Sequence, residues 1–132
     1  MNKHRILIVD DDADDREIVK DAFINASNAH EYIFLENGDK LLEYLENNAG
    51  NGLPSLILMD LNMPGKDGRD ILREIKTDQR FLPIPTIVFT TSSSDKDKTT
   101  SYSLGANCFL TKPDTFQRLV ALAKSISSLW LQ

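Results

Sequence analysis

Cysteine is nearly missing from this chain: Cys108 is the single one in 132 residues, which excludes an internal disulfide. Basic clusters are missing as well. Fifteen Lys and Arg face 20 Asp and Glu, a net charge of −5 with no basic block, so a nucleic-acid backbone is repelled rather than gathered. No apolar run approaches the roughly 20 residues of a membrane span, and Met1-Asn2-Lys3-His4-Arg5 leads into a run too short for a signal peptide. The expected location is therefore the cytoplasm, with no membrane insertion. A glycine-rich loop ending in Lys-Ser/Thr is absent, which excludes a P-loop nucleotidase. Repeats, low-complexity tracts and dividing linkers are absent too, so residues 1–132 read as one domain.

What remains is enough for a packed core: 41% of the residues are hydrophobic, and 27% are charged, which supplies a soluble surface. Apolar runs of strand length alternate with stretches of helical periodicity, the pattern of βα units wound into a parallel α/β sheet. Residues 5–9 read as the first strand. Ile18, Ala22 and Ala26, widened by Val19 and Phe23, predict a helix over about 13 to 27, with Asp14 and Glu17 at capping-box spacing. Tyr32 to Leu35 reads as a second strand, Asn37-Gly38 as a turn, and Leu41, Leu42 and Leu45 as one face of a second helix. The Asn/Gly-rich stretch 47–52 and Pro54 lead into the third strand, and Ile71, Leu72 and Ile75 line a third helix after Gly68. Pro83 and Pro85 bring in the fourth strand, and Phe116, Leu119, Val120, Ala123, Ile126 and Trp130 give the last helix its apolar face. The fourth helix, about 95–104, has almost no apolar residue before Tyr102 and Leu104. Packing holds it weakly, and it is the expected mobile part.

The chemistry gathers where the strands end. Ile6 to Val9 stops at Asp10-Asp11, Leu56 to Met59 at Asp60, Ile87 to Phe89 at Thr90, and Cys108 to Leu110 at Thr111-Lys112. Open parallel sheets bind ligands at that edge. If the first and third strands are neighbours, Asp10, Asp11 and Asp60 meet there, and carboxylates so placed persist only when protonated or neutralised by a cation. Mg²⁺ suits an all-oxygen donor set and keeps positions for water and a phosphate oxygen. Three carboxylates, Mg²⁺ and Lys112 sum to zero charge, so a phosphoryl group enters without net repulsion. Asp60 is the candidate nucleophile. It would form an acyl phosphate, with Mg²⁺, Lys112 and the Thr90 hydroxyl on the phosphoryl oxygens. The loop Leu61-Asn62-Met63-Pro64-Gly65 and Asp67-Gly68 is shaped to turn a carbonyl toward a metal.

In order and spacing, Asp10-Asp11, Asp60 with Asn62-Met63-Pro64-Gly65 and Asp67-Gly68, Thr90 and Lys112-Pro113 resemble the receiver domain of two-component response regulators along nearly the whole chain. The resemblance implies a three-layer (βα)5 fold with strand order 2-1-3-4-5, flavodoxin-like, filling 1–132 with no output domain and no enzyme output. It implies transfer of a phosphoryl group to Asp60 from a sensor histidine kinase or phosphotransfer protein. Mg²⁺ would be bound by Asp11, Asp60 and the Asn62 backbone carbonyl, and by Asp10 through water. Lys112 would touch the phosphoryl group, the Lys112–Pro113 peptide would be cis, and Thr90 and Phe109 would switch together. Phe109 has no hydroxyl, so its part in a switch rests on packing. Thr91 is larger than the residue often found there, and Asn62 and Ser92 occupy positions that tune acyl-phosphate lifetime. Output would pass through the face of the fourth helix, fifth strand and fifth helix to a downstream protein in trans, with a homodimer through the same face suggested by Tyr102, Phe109 and Trp130. Phe89 to Ser92, the Tyr102 to Lys112 segment and Leu129-Trp130-Leu131 resemble the single-domain regulators that serve phytochrome-type kinases.

Blander roles fit several residues. Asp12, Asp14 and Asp15 read as helix-start acids, favourable by about 0.3–1 kcal/mol, without a catalytic part. Cys108 reads as core, His4 and His30 as exposed, and Trp130 as a helix-docking residue. An aspartate-nucleophile phosphatase needs an acid two places after Asp60, where Asn62 stands. A flavin carrier needs a phosphate loop where Asp10-Asp11-Asp12 would repel the phosphate. A receiver-fold interaction module that signals without phosphorylation is the remaining alternative.

Overall fold

Five strands alternate with five helices: β1 (Arg5–Val9), α1 (Ala13–Ala26), β2 (Glu31–Leu35), α2 (Gly38–Asn47), β3 (Leu56–Met59), α3 (Gly68–Thr77), β4 (Thr86–Thr90), α4 (Asp95–Ser103), β5 (Cys108–Thr111) and α5 (Phe116–Trp130). All strand pairs are parallel and the sheet order is 2-1-3-4-5, as the sequence pattern and the resemblance implied. The computed structural model describes residues 4–27, 29–63, 65 and 67–131, so the start at Met1 to Lys3 and the loop residue Pro64 lie outside the described set.

Strand side chains alternate between the two faces, which divides the core in two. Leu7, Val9, Ile57, Met59 and Val88 face α2 and α3, where they meet Leu41, Leu45, Ile71, Leu72 and Ile75. Ile6, Ile8, Leu56, Leu58, Ile87 and Phe89 face the α1 and α5 side, against Val19, Ala22, Phe23, Leu119, Ala123 and Ile126. The central strands are buried on both faces, as parallel strands with helices above and below must be. No helix among the described residues is long and apolar enough to cross a membrane.

Several local expectations change. The inner stripe of α1 runs through Val19, Ala22 and Phe23, and Ile18 is exposed on its flank. The N-cap of α1 is Asp12, whose carboxylate accepts the Asp14 and Asp15 amides, in place of an Asp14–Glu17 capping box. Asn37 is likewise a cap, for α2, and Gly38 is the first helical residue rather than part of a turn. His4 and His30 are not free at the surface: the His4 amide donates to His30 Nδ1 at 3.2 Å and the rings lie 5.1 Å apart. Phe116 is exposed at the head of α5, while Trp130 and Cys108 are partly buried against the α1/α5 layer. The weak packing of α4 holds as read, since Ser101 is its one buried residue.

Candidate functional site

Parallel register brings the first two acids together. Val9 is level with Met59, and the chain continues into Asp10 and Asp60, whose amides bond the Leu35 and Val9 carbonyls. Asp10, Asp60 and Lys112 stand an even number of places after Ile8, Leu58 and Leu110, so all three share the α1/α5 side of the sheet edge. Lys112 Nζ donates to Asp10 Oδ2 at 2.7 Å, to Asp60 Oδ2 at 3.0 Å and to Asp15 Oδ2 at 3.1 Å. The other oxygens are also engaged: Asp10 Oδ1 accepts from the Asp12 amide and Asp60 Oδ1 from the Asn62 amide, each at 3.0 Å. Arg16 Nη1 donates to the Asp10 carbonyl at 2.6 Å.

Local backbone explains how Asp60 is presented. Gly65 has φ +82, open to glycine and strained for other residues, and the Gly68 amide bonds the Leu61 carbonyl at 3.3 Å. A Cβ on Gly68 would stand 2.6 Å from that carbonyl oxygen, so glycine is what lets α3 begin directly against the loop after Asp60. Thr90, wholly buried at the end of β4, accepts the Ser92 amide at Oγ1 and the Lys112 amide at its carbonyl. Phe109 is buried among the α2/α3-side residues, and its amide donates to the Tyr102 hydroxyl at 3.0 Å.

A cleft of about 450 Å³ opens beside Lys112, lined among others by Asp15, Ile18, Phe89, Thr91, Pro113 and Phe116. Residues 6–124 match the model of the response regulator receiver domain. The chain belongs to that family. This receiver is 37% identical over 130 residues to response regulator Rcp1 of Synechocystis sp., covering 96% of its own length and 88% of Rcp1. It is 35% identical over 128 residues to the probable methanogenesis regulatory protein FilR2 of Methanothrix harundinacea, covering 96% and 83%. Among solved structures, the phosphorylated cyanobacterial phytochrome response regulator RcpA superposes with a TM-score of 0.90 at 35% identity, covering 99% of this chain and 96% of RcpA. The Mn²⁺-bound form of Rcp1 gives 0.86 at 36%, covering 98% and 95%. The receiver is thus a phospho-accepting signalling module.

Three expectations about its site are revised. Asp11 is exposed and takes no part in the Lys112 contacts, so two of the three expected acids meet. Asp15, read as a helix-start acid, supplies a third contact, a role masked in the sequence by the acidic run around it. The Lys112–Pro113 bond is trans, the form an X–Pro bond prefers by about 0.5–1 kcal/mol. Among the described residues no group of three or more Asp, Glu, His or Cys side chains surrounds a common metal position, and the Lys112 ammonium stands between Asp10 and Asp60. The donor chemistry nevertheless suits a hard divalent ion: two buried carboxylates converge on one cation, and Asp11 lies at the same edge.

Electrostatics in this receiver favour a further positive charge. Burial drives the Asp10 carboxyl above its ordinary value, against the hydrogen bond from Lys112, and the Asp60 charge adds to the rise. Burial alone would lower Lys112, but its hydrogen bonds to Asp10 and Asp60 hold it well above its usual range. The contact acts equally on both partners; Lys112 ends well above its usual range because it adds the contributions of Asp10 and Asp60, while for Asp10 burial outweighs the single ammonium. The sign for stability follows: with its folded value raised, Asp10 supports the fold fully below its ordinary value of 3.8, and that support is lost as pH rises through the folded value. In metal-free buffer at pH 7, Asp10→Asn is expected to stabilise the receiver by about 0.5–2 kcal/mol. Calorimetry checks this: the melting difference from the native chain should close as pH falls below 4, about where the unfolded carboxyl takes up its proton.

Proposed function

We propose that this receiver takes a phosphoryl group from a histidine kinase or phosphotransfer protein onto Asp60, in a Mg²⁺-dependent step. The observation that carries the reading is the buried Asp60 carboxylate at a strand end, sharing Lys112 with Asp10. An Asp60 carboxylate oxygen attacks phosphorus, the bond from phosphorus to the donor nitrogen breaks, and the imidazole keeps that electron pair and accepts a proton. Lys112 follows the charge onto the phosphoryl oxygens, and the Thr90 hydroxyl donates to one of them. Asp10, Asp11, Asp60 and the Asn62 carbonyl would hold Mg²⁺, which supplies the charge that lets a phosphoryl group approach the acids.

The apolar cleft beside Lys112, with Ile18 and Phe116 exposed on its rim, is suited to seat the donor protein. Output passes through the face of α4, β5 and α5, where Tyr102 and Phe109 are joined, to a partner in trans, with a homodimer through that face as one form. Residues 1–132 act in the cytoplasm as one receiver domain. The kinship with Rcp1 and RcpA supports a phytochrome-type kinase as the donor.

The test uses the native chain with a small phosphodonor such as phosphoramidate. With Mg²⁺, the intact mass is expected to rise by one phosphoryl group; with EDTA, it should stay unchanged. An unchanged mass in both tubes rejects the reading.

A further inference from the structure

What fastens α4 is polar, and it converges on one carboxylate. Asp97, half-buried in the first turn of α4, divides its two oxygens between two other elements. Oδ1 accepts from Arg69 Nη2 at 2.6 Å, at the start of α3, and Oδ2 accepts from Ser92 Oγ at 2.7 Å, in the loop after β4. The Asp97 carbonyl accepts from the hydroxyl of Ser101, the buried residue of this helix, at 2.7 Å. Arg69 also donates to Asp67, so its guanidinium is fixed at both ends beside the loop that follows Asp60.

Ser92 carries the connection to the site. Its amide donates to Thr90 Oγ1 at 3.3 Å, its carbonyl accepts from Thr111 Oγ1 at 2.9 Å, and its own Oγ accepts the Ser94 amide at 3.2 Å. The Ser92 hydroxyl and then Arg69 hold the Asp97 carboxyl below its ordinary value, so it stays ionised and both contacts stay charge-assisted. Thr90 Oγ1 is therefore engaged by a loop amide whose residue is fastened through Asp97. For the Thr90 hydroxyl to turn toward a phosphoryl group on Asp60, Ser92 must yield.

We propose that Arg69 and Asp97 are positioning residues for phosphoryl transfer: together they hold Ser92 and Thr90 in the arrangement of the unmodified chain, and separating them frees the loop for the modified one. The inference rests on phosphorylation of Asp60. A pair that favours the unmodified arrangement lowers the population of the arrangement competent for labelling, so removing the pair raises the labelling rate through that population.

The experiment compares the native chain with Arg69→Ala, Asp97→Ala, Asp97→Asn and the double variant Arg69→Ala/Asp97→Ala. Labelling by phosphoramidate and Mg²⁺ is followed by intact mass, and a melting curve is recorded for each. Asp97→Ala is expected to label about five-fold faster than the native chain, as the competent arrangement gains population. Asp97→Asn should fall between, since its amide oxygen still accepts from Ser92, and the double variant should be no faster than Asp97→Ala. A purely structural pair would lower the melting temperature and leave the rate unchanged or slower, and that result overturns the inference. Independent, multiplying effects of the two substitutions also overturn it. If Asp97→Ala does not fold, Asp97→Asn and Arg69→Ala decide the matter by the same rate comparison. A native chain that takes no label removes the reading beneath the proposal, an outcome distinct from equal labelling of native and variant chains.

Discussion

Asp60→Asn is expected to abolish the phosphoryl mass gain, with a labelling rate reduced at least about 100-fold, because an amide offers no nucleophilic oxygen pair. The substitution leaves the surroundings almost intact. Its remaining oxygen keeps the shape of the acceptor that receives the Asn62 amide, and Lys112 retains Asp10 and Asp15. Loss of labelling would therefore not be loss of fold, and a melting curve no lower than the native one should accompany it. The comparison that gives the result its force is Asp10→Asn under the same conditions. That variant keeps the nucleophile, so it should label slowly where Asp60→Asn does not label at all. Equal labelling of Asp60→Asn and the native chain would move the acceptor elsewhere on the sheet edge, with Asp10 and Asp11 the next residues to test.

Why the site was so legible from sequence is a matter of register. Strands buried on both faces read as unbroken apolar runs, so the residue that ends each run is placed at the sheet edge without any knowledge of the helices. The element order and the placing of Asp10, Asp60 and Lys112 at one edge followed from that, while the sheet order that makes β1 and β3 neighbours came from the resemblance to receiver domains. What sequence did not convey was direction around a helix or loop. Ile18 and Val19 are adjacent and equally apolar, and the way α1 leans on α5 decides that Val19 is buried and Ile18 is exposed. Asp12, Asp14 and Asp15 looked equivalent in an acidic run, yet Asp12 caps α1 while Asp15 reaches Lys112. Asp11, expected beside Asp10, is exposed and leaves the end of β1 on the other side, since successive residues alternate across a strand. The α4 contacts were hidden for another reason. Arg69 and Asp97 are 28 positions apart, and nothing in the composition of either segment announces a pair.

Lys112→Ala should oppose Asp10→Asn in its effect on stability, although both slow labelling. Lys112 is the cation shared by Asp10 and Asp60, and the three side chains are only 11%, 6% and 10% exposed. Removing one partner of a buried pair leaves uncompensated charge, at a cost of about 3–5 kcal/mol, or roughly 10–20 °C of melting temperature for a domain of this size. The labelling rate should fall about 10²- to 10³-fold, the usual consequence of losing one preorganised group on developing charge. The sign with pH separates this from a packing defect. Without Lys112 the raised Asp10 carboxyl loses its chief opposing contact, so the deficit should be largest at high pH and shrink as protons are taken up on acidification. Magnesium should act in the same direction as acid at constant pH 7, raising the melting temperature of Lys112→Ala more than that of the native chain, since the ion binds the folded acids and scarcely the unfolded ones. Adding Asp10→Asn to Lys112→Ala should recover part of the lost stability and none of the lost rate. A deficit indifferent to pH, to magnesium and to the second substitution would mean that the lysine stem, and not its charge, supports the fold.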